Sequence, residues 1–224
     1  MSTIILGLMA AEALIERIRE ELAPQRDRLV DHPYLHAVEA GVDPSQLRPF
    51  AGEQHAIIAS DLRSVARLVA RFGDGLFLHV LDGERAAWEA LPRFAAALGM
   101  TPEDLEAYEP MPGAHAYTAY MAWLASHASA AEVAAAYLVN FATWGESCAR
   151  MGAALRRRYG LAEAEVRFFD LFAEPDREFE ELALAVLASG LEQGVPERRV
   201  ARAARLLQGY ELLYWDTLFD HLHR

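Results

Sequence analysis

The sequence is poor in cysteine: Cys148 is the only one among 224 residues. An intramolecular disulfide is therefore excluded, and a reducing, cytoplasmic compartment is expected. Long apolar runs are also missing. No segment reaches the roughly 18 uninterrupted apolar residues that cross a bilayer. The N-terminal run Ile4-Ile5-Leu6-Gly7-Leu8-Met9-Ala10-Ala11 has no basic leader and meets Glu12. It reads as a helix start rather than a signal peptide. Basic residues are outnumbered 21 to 33, for a formal charge of -12. That argues against a nucleic-acid face, which must neutralise phosphates, and against docking on anionic lipid. There is no Gly-rich phosphate loop, no Gly-x-Ser-x-Gly elbow, no Cys-x-x-Cys and no Glu-x-x-His. Nucleotide chemistry, serine hydrolysis and a helical metal site are not indicated. No cofactor and no metal is expected.

Hydrophobic residues make up 53% and charged residues 24%, enough for a packed core. Strand signals are few. Ala, Leu, Glu and Arg dominate, and apolar residues recur at helical spacing, as in Leu62, Val65, Ala66, Leu68 and Val69. The fold class expected is all-α, with about eight helices in one domain over residues 1–224. Asp43-Pro44 opens a helix that runs to Arg71 and ends at Gly73 and Gly75. The next helix covers 76–98, Thr101 caps another, and Pro110, Pro112 and Gly113 break the chain before a helix over 115–127. Ser129 and Glu132 form a capping box for a long helix to Tyr159, closed by Gly160. Pro175 divides the next pair, and Gly194 with Pro196 precedes a last helix to about His221.

Chemistry-bearing residues gather on two of these helices. On the last, Tyr210, Glu211, Tyr214, Trp215 and Asp216 form an aromatic and acidic cluster, with Glu211 and Trp215 on one face. A carboxylate among aromatic rings loses hydration and rises toward a useful acid/base range; alternatively, the helix merely packs its rings inward. On the long helix, Asn140 and Trp144 share a face, and Glu146 is turned from Asn140 by about 120°. Asn140 and Glu146 suit a core only with partners. Cys148 reads as a small buried hydrophobe ahead of a reactive thiol. His55 and His115 stand beside apolar or aromatic segments. His32 with His36, and His221 with His223, are isolated pairs.

The order of segments resembles the TenA family of thiaminase-II-like proteins, in the heme-oxygenase-like superfamily with the PQQ-synthesis protein PqqC. His32-Pro33 is similar to an early His-Pro of that family. Leu47, Phe50 and Gln54 follow at the spacing of the helix that carries its Gln-Asp pair. Pro112, Ala114, Tyr117 and Met121 resemble its Pro-x-x-Tyr-x-Tyr-x-x-x-Met segment. The ending Tyr210-Glu211-Leu212-Leu213-Tyr214-Trp215-Asp216 resembles its Tyr-Glu-x-x-Phe-Trp and is the most specific element. The resemblance covers residues 32–219. It implies a heme-oxygenase-like bundle around a central pocket, a small heterocyclic ligand related to aminopyrimidine or thiamin, and hydrolysis of a C–N bond. Carried over by position, Glu211 moves protons and Tyr117 lines the pocket. The remaining substrate contacts expected are His55, Asn140, Trp144, His115, Phe172, Tyr210 and Trp215. Two positions depart from the family: His55 stands for its aspartate and Asn140 for its cysteine. Cys148 lies eight residues beyond Asn140, about 12 Å along the helix and turned by about 80°. Glu146 is the expected second catalytic group, replacing the thiol.

Three functions follow from these residues. The first is a cysteine-free hydrolase of the thiaminase-II type. The second is a PqqC-like, cofactor-free oxidase, for which His55, His115 and Arg150 would suit an anionic substrate. The third is a non-catalytic ligand-binding or regulatory protein without direct DNA contact. Self-association is expected through exposed helix faces, with Trp88 and Trp123 as candidates for interface or core.

Overall fold

A computed structural model describes residues 3–73 and 75–223. Among them there is no strand. Ten helices follow in order: α1 (Thr3–Val30), α2 (Pro33–Ala40), α3 (Arg48–Phe72), α4 (Leu76–Ala97), α5 (Pro102–Glu106), α6 (Pro112–His127), α7 (Ala130–Tyr159), α8 (Glu163–Ala173), α9 (Arg177–Glu192) and α10 (Glu197–Leu222). All but the short α2 and α5 are eleven residues or longer, which leaves the eight substantial helices expected. No helix among the described residues is long and apolar enough to cross a membrane.

Most helix ends follow from local chemistry. The Ser129 hydroxyl accepts from the Glu132 amide while Glu132 reaches back to Ser129, the reciprocal cap read from the sequence. Gly160 ends α7 in the left-handed region at φ 67°, where a side chain would be strained. Two boundaries differ from expectation. Residues Pro44–Leu47 form a separate 3-10 turn, because Pro49 has no N–H to continue an α ladder back to Ser45. Helix α6 begins at Pro112, not at residue 115, since proline fits the first helical turn. The His32-Pro33 pair starts α2: the His32 ring accepts from the Tyr34 amide at 3.2 Å, and its other nitrogen lies 3.1 Å from Asp216 of α10.

Two apolar clusters fill the bundle. One gathers α1, α6, α9, the end of α3, the start of α4 and the first halves of α7 and α10; the other gathers α2, α8, the rest of α3 and α4 and the second halves of α7 and α10. Leu62 and Tyr117 pack against both, so the seam between the clusters runs through the middle of the molecule. Close approaches hold this arrangement. A Cβ on Gly52 of α3 would sit 2.4 Å from the Tyr108 ring, whose hydroxyl donates to Glu53 at 2.9 Å. Gly52→Ala is therefore expected to lower stability by about 1–3 kcal/mol in urea unfolding, because a ring, not a flexible chain end, must move. An unchanged midpoint would mean that Tyr108 swings away freely.

Candidate functional site

At this seam lies a cavity of about 50 Å³. Helix α3 lines it with Gln54, Ile57, Ile58 and Asp61, a spacing of i, i+3, i+4, i+7 that defines one helix face. Helix α4 adds Glu84, α6 adds Tyr117 and α8 adds Phe172. Helix α7 supplies Asn140, Phe141 and Trp144, and α10 supplies Glu211 and Tyr214. Three carboxyl groups thus line one cavity, and no basic side chain among the described residues does. The whole chain contains no lysine; all 21 of its basic residues are arginine.

A hydrogen-bonded chain crosses the cavity. The Tyr117 hydroxyl donates to Asn140 Oδ1 at 3.1 Å, and Asn140 Nδ2 donates to Glu211 Oε2. From behind, Trp215 Nε1 donates to Glu211 Oε1 at 3.3 Å. On the neighbouring wall Gln54 Nε2 donates to the Tyr214 hydroxyl at 2.8 Å. Glu211 is only 2% exposed. Burial pushes its pKa up to about 8, against the opposing pull of the Trp215 and Asn140 hydrogen bonds. Burial lifts Glu84 to about 7. Asp61 is raised by burial and then by the neighbouring Glu84. Its Oδ1 has no hydrogen-bond partner among the described residues. Three carboxyls with raised pKa values lining one cavity can donate, accept or balance a cation.

Of the residues expected at the site, Glu211, Tyr117, Asn140, Trp144 and Phe172 meet at the cavity, and Trp215 supports Glu211 from outside. Four others lie elsewhere. His55 points away from the seam and stacks on Trp88 at 4.6 Å; burial lowers its pKa. The cavity face of α3 runs through Gln54 instead, because one residue along a helix turns the side chain by about 100°. His115 is exposed near the start of α6. Tyr210 packs on Tyr120 at 5.0 Å, away from the cavity. Glu146, turned as its spacing requires, faces a separate outer groove, with both carboxylate oxygens 2.7 Å from Arg26 Nη2. It therefore does not stand in for a thiol in the inner cavity. Arg150 is engaged by Glu39 through two 2.8 Å bonds. The three groups that suited an anionic substrate are thus all outside. Cys148 is buried in the second apolar cluster, and burial raises its thiol well above the ordinary range.

Asp61 and Glu84 were not singled out by sequence. Each is a carboxylate on an otherwise apolar stripe: Asp61 among Ile57, Ile58, Val65 and Leu68, and Glu84 among Val80, Leu81, Ala87 and Leu91. That interruption was the available signal. Among the described residues no group of three His, Cys, Asp or Glu side chains is arranged to hold a metal ion.

A model of the TENA/THI-4/PQQC family matches residues 19–221. No curated protein matches the chain. Solved structures do. A TenA homolog from Pseudomonas syringae shares 18% identity over 95% of this chain and 96% of its own, with a TM-score of 0.80. A TenA homologue from Pyrococcus furiosus shares 18% over 92% and 99%, with a TM-score of 0.72. Heme oxygenase-1 from Synechocystis, solved with heme, shares 14% over 94% of each chain, with a TM-score of 0.68. At these identities the likeness is one of fold, and the fold is heme-oxygenase-like.

Proposed function

The chain belongs to the TENA/THI-4/PQQC family, and from that premise we propose that it binds a small, protonatable heterocycle of the aminopyrimidine type and hydrolyses a C–N bond on it. One observation carries this reading: Asp61, Glu84 and Glu211 face a single cavity with no arginine among its walls. Such a wall favours a ligand that brings positive charge or several N–H donors. Phe141, Trp144, Phe172 and Tyr214 offer ring faces to a flat heterocycle.

In this reading Glu211 works as acid and then base. With a pKa of about 8 it enters the reaction protonated at neutral pH. It gives its proton to the leaving nitrogen as the C–N bond breaks. Water attacks the freed methylene carbon, and the Glu211 carboxylate takes back a proton from that water. Amine plus water become alcohol plus ammonia, and the enzyme returns to its starting form. Asn140 positions Glu211 and fixes the Tyr117 hydroxyl. Because Asn140 carries no thiol, no covalent intermediate forms at that position.

The test is incubation of the purified protein with aminomethyl-pyrimidine and with thiamin, following release of the pyrimidine alcohol by chromatography. Release from either compound supports hydrolysis. Saturable binding without release would favour a ligand-binding or regulatory role. No binding and no release would overturn the reading and move the search to oxygen-dependent chemistry.

Self-association is part of the same proposal. Trp123, Leu206 and Leu213 are exposed to between 41% and 49%. Trp123 stacks on Tyr120, which meets Tyr210, and Leu206 and Leu213 share the helix face of Tyr210. A patch of this kind suits a second copy of the chain. Light scattering is expected to give more than the monomer mass, and Trp123→Asp to reduce it. A monomer in the unaltered protein would remove this part.

A further inference from the structure

Beside the cavity lies an outer groove of about 610 Å³, within the roughly 300–1,000 Å³ range of ligand sites. Glu84, Phe141 and Phe172 line both, so cavity and groove adjoin at these three side chains. Glu84 is only 9% exposed and makes no hydrogen bond or ion pair with a described residue. A buried, unpartnered carboxyl facing two enclosures is unexplained by packing alone.

Size points the same way. At about 10–15 Å³ for each buried water, the inner cavity holds only a few water-sized groups. A ring with a longer substituent needs more, and for a ligand anchored at Glu211 the adjoining space is the groove beyond Phe141 and Phe172. The groove is built for a long, amphiphilic cation. Its apolar surface comes from Val80, Leu138, Leu171 and Phe179, and it has no arginine in its lining. Its carboxylates are Glu146, Asp82, Glu174, Asp176, Glu180 and Glu84. The first four have basic partners: Arg26, Arg85, Arg167 and His79. Glu180, exposed on α9, has no partner among the described residues. Helices α7 and α8 meet at a close approach beside the groove. A Cβ on Gly145 would fall 2.7 Å from the Phe172 carbonyl oxygen, so glycine lets the end of α8 seat against α7.

We propose that cavity and groove form one continuous site for an elongated dication. A protonated ring amine sits in the cavity, an apolar linker passes Phe141 and Phe172, and a second ammonium lies in the groove against Glu180. This inference rests on the reading of the inner cavity as a cation site, and it names a longer substrate class than a lone aminopyrimidine.

The experiment compares N-benzylputrescine with N-butylbenzylamine by titration calorimetry in low-salt buffer. The two share ring, amine and four-carbon chain; only the first ends in an ammonium. The unaltered protein is expected to bind the diamine about ten-fold more tightly. Glu180→Gln is expected to cut that preference to about two-fold or less and to leave N-butylbenzylamine binding unchanged. Added salt should shrink the preference as well. Equal affinities in the unaltered protein, or a full preference surviving Glu180→Gln, overturn the inference while the cation reading of the cavity stands. If neither compound binds, that cation reading fails and takes this inference with it.

Discussion

Glu211→Gln is expected to lower kcat for release of the pyrimidine alcohol by about 10²–10⁴-fold, the range for loss of a positioned acid/base group. The amide keeps the shape but cannot give up or take back a proton. Cys148→Ala is the matching control and is expected to leave kcat within about two-fold, because a buried thiol with a raised pKa is not a nucleophile. The pH profile follows from the same group. The acid form of Glu211 starts the reaction and its pKa is about 8. The kcat/KM profile should therefore be flat on the alkaline side of neutrality up to about pH 8, then fall about ten-fold for each further pH unit. A Cys148→Ala protein without activity, or a Glu211→Gln protein with full activity, would remove Glu211 from its assigned role.

Glu84→Gln is expected to stabilise the protein at alkaline pH and to leave it nearly unchanged in acid. The folded value of about 7 lies above the ordinary 4.5. A carboxyl raised in this way favours the fold fully below its unfolded value, and that contribution is lost as pH rises through the folded value. Above about pH 7 the native protein therefore holds a buried, unpartnered carboxylate. A shift from 4.5 to about 7 puts the gain at high pH on the order of a few kcal/mol. A neutral glutamine removes that dependence and has no existing hydrogen bond to lose. Urea unfolding at about pH 5 and pH 8.5 would read the effect as a gain confined to the higher pH. The same substitution should weaken cationic ligands, as expected when a site keeps a strained group for function. Equal stability of the two proteins at both pH values would mean that Glu84 is ionised and solvated in the fold.

Much of the helix map was legible because helix ends are local events. The caps at Ser129 and Thr101, and the glycines after Phe72 and Tyr159, act within a few residues of chain. The exceptions were also local but needed bond-by-bond accounting. Pro49 interrupts the ladder that Asp43-Pro44 appeared to start, and Pro112 opens a helix where it looked like a break. At the site, the two long helices α7 and α10 announced Asn140, Trp144 and Glu211, since polar groups on rich aromatic faces stand out in a sequence. Asp61 and Glu84 did not stand out, because each is one carboxylate within a chain that carries 33 acidic residues.

The sequence by itself therefore determined the all-helical class and most helix limits, set by spacing within one segment, and marked Glu211 on the last helix as a candidate acid. Only the tertiary structure decided which groups share an enclosure. Its walls come from six helices, and a helix turns about 100° per residue, so packing chose Gln54 over His55 and sent Glu146 to the groove. The acidity of the site also arises there. A carboxyl is ordinary until neighbouring helices exclude water from it, and that exclusion is a property of the assembled bundle.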